Sequence, residues 1–123
     1  MASWRTAGVR GRRGDARDLA EPDESADAVL LLGSLYHLPA RDNRMKALAE
    51  AYRVLRPGGL LPAAAISRYT IVLDLLRARH AEQGTLIELA DVLADGQLLK
   101  SETFTTAYFH QPRNCERNFW PPV

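Results

Sequence analysis

Two short segments carry the residue types best suited to chemistry, Gly14-Asp15-Ala16 and Gly33 to His37. The carboxylate of Asp15 can accept N–H groups of a ligand. His37 offers an imidazole, and histidine, with an ordinary pKa of about 6.5, can accept a proton at neutral pH. Tyr36 offers a phenol that could orient a substrate. Structural interpretations stay open, because Asp15 could cap a turn, and Tyr36 and His37 could pack or hydrogen-bond within a loop.

The remaining nucleophiles and metal ligands show no catalytic spacing. Cys115, the single cysteine, lies in an irregular tail, and Ser34 does not stand in the Gly-x-Ser-x-Gly pattern of a nucleophile elbow. His37, His80 and His110 are scattered instead of paired four residues apart, and there is no cysteine cluster. The sequence therefore predicts no thiol or serine nucleophile and no metal site.

A strand–helix–strand unit is predicted to position the two segments. The apolar run Ala28–Leu32 has the length of a strand covered on both faces, as in parallel sheets. Pro39 and Asp42 mark the start of a helix. Pro57-Gly58-Gly59 ends it, because proline cannot continue a helix and glycine tolerates a left-handed exit. Leu60–Ile66 is the second buried strand. Ligands of such sheets bind beyond the carboxyl ends of the strands, where both segments fall.

The helix between these strands is amphipathic. Its apolar residues recur at intervals of three, four and three, which places them on one inner face: Met45, Leu48, Tyr52 and Leu55. Its charged residues are expected mostly on the outer side: Arg44, Lys46, Glu50 and Arg53.

Further along the chain, two helices and one aromatic segment are predicted. Ile71–Arg79 has the pattern of a helix with an apolar inner side. Leu86–Ala94 is a second helix, which begins with a capping box formed by Thr85 and Glu88 and ends at the following Asp-Gly pair. Phe104–Phe109 is aromatic and β-branched, and is either a short strand or an apolar lid.

Length and composition indicate one globular domain of 123 residues, 46% of them apolar and 25% charged. A net charge of +1 gives no reason to expect nucleic acid, and no apolar run approaches the roughly 20 residues of a membrane span. The lone cysteine favours the cytoplasm. Residues 1–13 form an arginine-rich arm, interpreted as a solvated terminus, residues 14–111 form the folded domain, and residues 112–123 form an irregular tail.

Three segments, in a fixed order, resemble a known family. They are Gly14-Asp15-Ala16-Arg17-Asp18-Leu19, Asp27–Pro39 and Arg53-Val54-Leu55-Arg56-Pro57-Gly58-Gly59. Together they are similar to the second half of class I S-adenosylmethionine-dependent methyltransferases, most of all the type 11 branch that methylates small molecules. The resemblance implies an α/β, partial Rossmann-like methyltransferase fold. In this fold, a small, mostly parallel sheet is flanked by helices and lacks the first two strands. The domain is truncated at both ends.

The resemblance also implies roles for individual residues. S-adenosylmethionine is the expected cofactor. Asp15 would accept the exocyclic amine of its adenine, the backbone amide of Ala16 would reach a ring nitrogen, and Gly33 would lie against the cofactor. Tyr36 and His37 would position a small-molecule methyl acceptor or accept its proton.

Absent neighbouring strands would leave Ala28–Leu32 with an open apolar edge, which could pair with a second copy of the chain. The alternative function is therefore a catalytically inactive, truncated methyltransferase fold that acts as an interaction fragment. No membrane partner is expected. Tyr108, Phe109 and His110 would form part of a lid over the substrate, as the resemblance implies, or a strand that packs on the core.

Overall fold

The computed structural model describes residues 8, 10–78, 83–98 and 106–113. This part of the chain contains both helices and strands, interspersed along the sequence, as the α/β prediction requires. In chain order they are β1 (Ala26–Ala28), α1 (Ser34–His37), α2 (Arg41–Val54), β2 (Leu55–Leu60), α3 (Arg68–Ala78), α4 (Gln83–Asp95), β3 (Gln97–Leu98) and β4 (Ala107–Tyr108). Within these ranges, no helix has the length and apolar character needed to cross a membrane.

The predicted parallel unit is confirmed, with shifted boundaries. β1 and β2 pair in parallel through Ala26 with Leu55 and Ala28 with Leu60. Beyond β1, the pairing continues through Leu31, whose N–H donates to the Pro62 carbonyl at 2.9 Å. The strand predicted at Ala28–Leu32 therefore begins two residues earlier, and its partner begins at Leu55 instead of Leu60.

The Arg-Pro-Gly-Gly sequence is a bulge inside β2, and the prediction that Pro57-Gly58-Gly59 ends the helix is wrong. Four residues of β2, 56–59, lie opposite the single residue Asp27 of β1. The helix already ends at Val54, because Leu55 turns to extended geometry and pairs with β1. Glycine is needed here because Gly58 has φ +78°, a left-handed conformation that costs other residues free energy.

Burial of the two strands is one-sided, which corrects the prediction of strands covered on both faces. Leu31 is buried, whereas its neighbour Leu30 is 65% exposed and Leu60 in β2 is 69% exposed. Successive strand residues point to opposite faces, so the described helices cover one face of this two-stranded sheet and leave the other open.

Helix α2 buries a different face from the predicted one. Its buried residues are Arg44, Ala47, Ala51 and Val54. Tyr52, predicted to lie inside, is 76% exposed, and Arg44, predicted to lie outside, is only 5% exposed. The face is displaced by about one residue, because alanines let α2 approach its neighbours closely and Arg44 finds partners in the interior.

The second half of the chain has its own small core. β3 and β4 are antiparallel, pairing Gln97 with Tyr108 and Leu98 with Ala107. The core residues are Val92, Leu98, Ala107 and Phe109, with Ile66 and Ile71 packed against them. The strand interpretation of the aromatic segment is thus confirmed for Ala107–Tyr108.

Both later helices are confirmed, and α4 ends at Asp95, before Gly96 with φ +82°. The side chains of the predicted capping box, Thr85 and Glu88, lie outside the described residues. So do most of the arginine-rich arm and the tail from residue 114 onward.

Candidate functional site

Asp15 forms a tight turn with Arg17. The backbone N–H of Arg17 donates to Asp15 Oδ1 at 2.9 Å, and its guanidinium donates to Oδ1 at 2.9 Å and to Oδ2 at 2.6 Å. Asp18 closes the turn by donating its N–H to the Asp15 carbonyl at 3.1 Å. The side-chain hydrogen bond from Arg17 is the main reason that the pKa of Asp15 is lowered to about 2. Asp15 is therefore an ionised, exposed carboxylate.

The turn-capping interpretation of Asp15 thus describes a contact that exists. A carboxylate offers about four acceptor positions, and three N–H groups of Arg17 make four hydrogen bonds to its two oxygens. Ala16 is half-buried in the same turn. A ligand at this turn would have to share the carboxylate oxygens with Arg17.

Gly33 opens the single-turn helix α1. Its carbonyl accepts the N–H groups of Tyr36 at 3.1 Å and His37 at 2.9 Å. Its φ of −158° is extended backbone that any residue adopts, and an added Cβ would lie at an ordinary 3.6 Å from His37 Cδ2. Alanine would therefore fit at this position, and the role of Gly33 toward a cofactor stays a prediction.

Tyr36 and His37 lie side by side on α1, their ring centroids 4.6 Å apart. The phenol of Tyr36 donates to the Leu32 carbonyl at 2.7 Å, which ties α1 back to the end of the first strand segment. The His37 side chain is exposed. Tyr36 therefore has a structural hydrogen bond, while His37 presents its imidazole to solvent beyond the strand, where a substrate could reach it.

Sequence reasoning missed a stack of three side chains behind α1. The guanidinium carbon of Arg44 lies 3.6 Å from the ring centroid of Tyr108. The Tyr108 ring meets the ring of His110 edge-on, with centroids 4.7 Å apart and an interplanar angle of 86°. Tyr108 and His110 were recognised as lid or strand residues, but no local pattern indicated Arg44, because its partner lies far along the chain.

His110 is 2% exposed, and its Nε2 lies 2.8 Å from the carbonyl oxygen of Leu35. A carbonyl only accepts, so Nε2 carries the proton of this bond. Burial lowers the pKa of His110, and the nearby positive charges of Arg44 and Arg68 lower it further, outweighing the opposing effect of the Leu35 bond. His110 is therefore a neutral donor at pH 7.

A second network holds the segment between the Asp15 turn and β1 against α2. Glu50 accepts the N–H of Leu19 at 2.8 Å. Arg53 donates to the carbonyls of Leu19 and Glu21, both at 2.9 Å, and to Asp23 Oδ1 at 2.7 Å. The hydrogen bond from Arg53 is the main reason that the pKa of Glu50 is lowered to about 2. The path of the chain into β1 is thereby fixed.

Comparison with known proteins gives a consistent family. The family described as "Methyltransferase domain" matches residues 2–63, half of the chain. The chain is 49% identical over 47 residues to 27-O-demethylrifamycin SV methyltransferase of Amycolatopsis mediterranei, covering 38% of this chain and 16% of that protein. It is 27% identical over 108 residues to the probable tRNA methyltransferase 9B of Mus musculus, covering 88% of this chain and 23% of that one.

A solved structure shares the fold. A crystal structure of a SAM-dependent methyltransferase from Methanosarcina mazei aligns with a TM-score of 0.64 at 21% identity, covering 85% of this chain and 49% of that chain. The chain thus spans about half the length of this structure, and 16% and 23% of the two curated relatives. The partial Rossmann-like methyltransferase fold predicted from the sequence is confirmed.

Proposed function

Because the chain belongs to the methyltransferase-domain family, we propose that it forms the part of an S-adenosylmethionine-dependent methyltransferase that holds the adenine end of the cofactor and the loop facing the acceptor. The observation that carries the proposal is the parallel β1–β2 unit, preceded by an ionised Asp15 turn and followed by α1 with Tyr36 and His37. Parallel α/β sheets bind their ligands beyond the carboxyl ends of their strands, the side on which α1 follows the first strand segment.

The Asp15 turn fits the adenine of the cofactor. An ionised carboxylate, shared with Arg17, suits the exocyclic amine, and the adjoining backbone amide of Ala16 suits a ring nitrogen. Gly33 would lie beside the methyl-bearing end of the cofactor. When bound, S-adenosylmethionine supplies the electrophilic methyl group. The residues of this chain would bind the cofactor and orient the acceptor.

The acceptor in this proposal is a small molecule. Tyr36 and His37 would face it from α1, with His37 exposed and able to take the proton that the acceptor releases. Methyl transfer needs chiefly alignment of the reacting atoms, so no nucleophilic side chain is required. The relative whose name specifies a rifamycin substrate supports this class, and a net charge of +1 gives RNA no electrostatic advantage. We place the protein in the cytoplasm as part of the same proposal.

Adenosine and homocysteine test which end of the cofactor the chain holds. At equal concentration, adenosine should raise the melting temperature of the chain nearly as much as S-adenosylhomocysteine, because the adenine contacts lie in the Asp15 turn. Homocysteine alone should have no effect. A rise with homocysteine and none with adenosine would contradict the proposal.

A second candidate is an inactive fold that acts through its open sheet. The exposed Leu30 and Leu60 favour it, because apolar side chains on an uncovered strand invite association with a second copy. Sedimentation velocity of the chain beside a Leu30→Ser, Leu60→Ser variant tests it. A dimer that the double substitution dissociates, in a chain that binds no S-adenosylhomocysteine, would favour this candidate over the enzyme.

A further inference from the structure

We infer that Arg44, Tyr108 and His110 form a positioning device, here called the clamp, that fixes the turn carrying Tyr36 and His37. The inference deepens the proposed function and rests on it in one respect, namely that this turn faces the methyl acceptor. The contacts of the clamp are facts of the structure, independent of any ligand.

The clamp holds the backbone of this turn at both ends. His110 Nε2 donates to the carbonyl of Leu35 at 2.8 Å, within α1. Arg44 Nη1 donates to the carbonyl of Leu38 at 2.8 Å and to that of Pro39 at 2.5 Å, just after α1. Tyr36 and His37 lie between the held carbonyls, so their positions depend on both contacts.

Tyr108 joins the two halves of the clamp. One face of its ring receives the Arg44 guanidinium at 3.6 Å, and its ring meets the His110 imidazole edge-on at 4.7 Å. Arg44 belongs to α2, whereas Tyr108 ends β4 and His110 lies two residues after it. Two elements distant in sequence thus meet behind α1.

The clamp has its own support at β4. The N–H of His110 donates to the carbonyl of Ile66 at 2.7 Å, and the His110 carbonyl accepts the N–H of Arg68 at 2.9 Å. Phe109 donates its N–H to Gly96 at 2.7 Å. His110 is therefore held by backbone bonds that do not involve α1, and it can serve as a fixed point.

A positioning role explains why polar side chains occupy this interior. A single helical turn cannot sustain itself, because its first hydrogen bonds do not offset the loss of chain entropy. Apolar side chains could hold α1 nearby without fixing its orientation. Burying a guanidinium instead carries a desolvation penalty, which only directional hydrogen bonds such as those to the backbone carbonyls offset. Three directed hydrogen bonds fix position and orientation, which alignment for methyl transfer requires.

Amide hydrogen exchange tests the clamp without an acceptor. In the wild-type chain and four variants, the measured amides are those of Tyr36 and His37, both bonded to the Gly33 carbonyl, with Gly96 as the reference, bonded to the Val92 carbonyl. Arg44→Lys, His110→Gln and Tyr108→Leu should each raise exchange at Tyr36 and His37 by about tenfold or more, as loss of a desolvated cation–aromatic contact or buried hydrogen bond implies. Exchange at Gly96 should change by less than about threefold. Tyr108→Phe keeps the ring and should leave all three amides within about twofold of wild type.

Two outcomes would overturn the inference: unchanged exchange at Tyr36 and His37, or an equal rise at Gly96, which would mean a general structural role. If Tyr108→Leu fails to fold, Arg44→Lys decides, because it keeps the charge and the aliphatic stem but loses the planar fork. A parallel titration of wild type with S-adenosylhomocysteine separates the two claims. Absence of binding with selective loss of protection in the variants would defeat the proposed function and leave the clamp intact.

Discussion

Arg68 Nε donates a hydrogen bond to the carbonyl oxygen of Phe109 at 3.0 Å, joining positions 41 residues apart. The other guanidinium nitrogens donate to the carbonyls of Leu93, Ala94 and Asp95 at 3.0 to 3.2 Å. These last three carbonyls end α4 and have no partner within the helix, and a cation complements the negative end of its dipole. One buried side chain therefore joins α3, α4 and the segment after β4.

Arg68→Met should lower the free energy of unfolding by about 3 kcal/mol, because buried carbonyls lose charge-assisted hydrogen bonds. The measurement is urea unfolding followed by circular dichroism. Arg77→Met on the same helix is the matched control, since Arg77 is exposed, and should change stability by less than about 0.5 kcal/mol. Equal losses in the two variants would contradict the role assigned to Arg68.

Gly59→Ala should destabilise the chain by about 2 kcal/mol, as overpacking does. A Cβ at Gly59 would lie 2.6 Å from Leu55 Cδ1 and 2.9 Å from the Arg56 carbonyl oxygen, a backbone atom that cannot yield cheaply. Gly11→Ala, where an added Cβ meets nothing within 4 Å, is the control and should be nearly neutral. Thermal unfolding of both variants compares them, and a neutral Gly59→Ala would show that the bulge is absent in solution.

The pH dependence of stability should show two separate windows. The pKa of His110 is lowered in the folded state, so the unfolded state binds more protons below about pH 6.5, and stability falls as the pH drops from there. The pKa of Glu50 is lowered from 4.5 to about 2, so its contribution is full above pH 4.5 and is lost as the pH falls toward 2.

Each window has its own variant. His110→Gln should abolish the slope between pH 6.5 and pH 5 and keep the slope below pH 4.5, whereas Glu50→Gln should reduce the slope below pH 4.5 and keep the other. Urea midpoints measured from pH 7.5 to pH 2.5 give both slopes. A His110→Gln variant that retains the wild-type slope between pH 6.5 and pH 5 would contradict the assignment.

Local sequence patterns predicted the parallel unit, α2 and both later helices, because hydrophobic patterning is a property of neighbouring residues. The buried face of α2 was wrong for the opposite reason. Arg44 is buried because its guanidinium lies over the Tyr108 ring and donates hydrogen bonds to two backbone carbonyls. No residue near Arg44 in the sequence indicates the contact with Tyr108. The exposure of Leu30 was missed because an apolar run does not reveal how many strands flank it.

The candidate site divides in the same way. Tyr36 and His37 are adjacent in sequence, so their proximity on α1 followed from the loop position alone. The contact between His110 and Leu35 spans 75 residues and depends on how β4 packs against α1. No local pattern indicated that the His110 side chain would bond a backbone carbonyl, because its segment was predicted only as either a lid or a strand.

The central claim is that the Asp15 turn holds the adenine of S-adenosylmethionine, and calorimetric titration with S-adenosylhomocysteine tests it most directly. The wild-type chain should bind with a dissociation constant in the micromolar range. Asp15→Ala should weaken binding about tenfold, the loss of one charged hydrogen bond, and Asp18→Ala, which removes a carboxylate from the same turn, should leave it unchanged. Absence of binding by the folded wild-type chain, or equal weakening by both substitutions, would contradict the account.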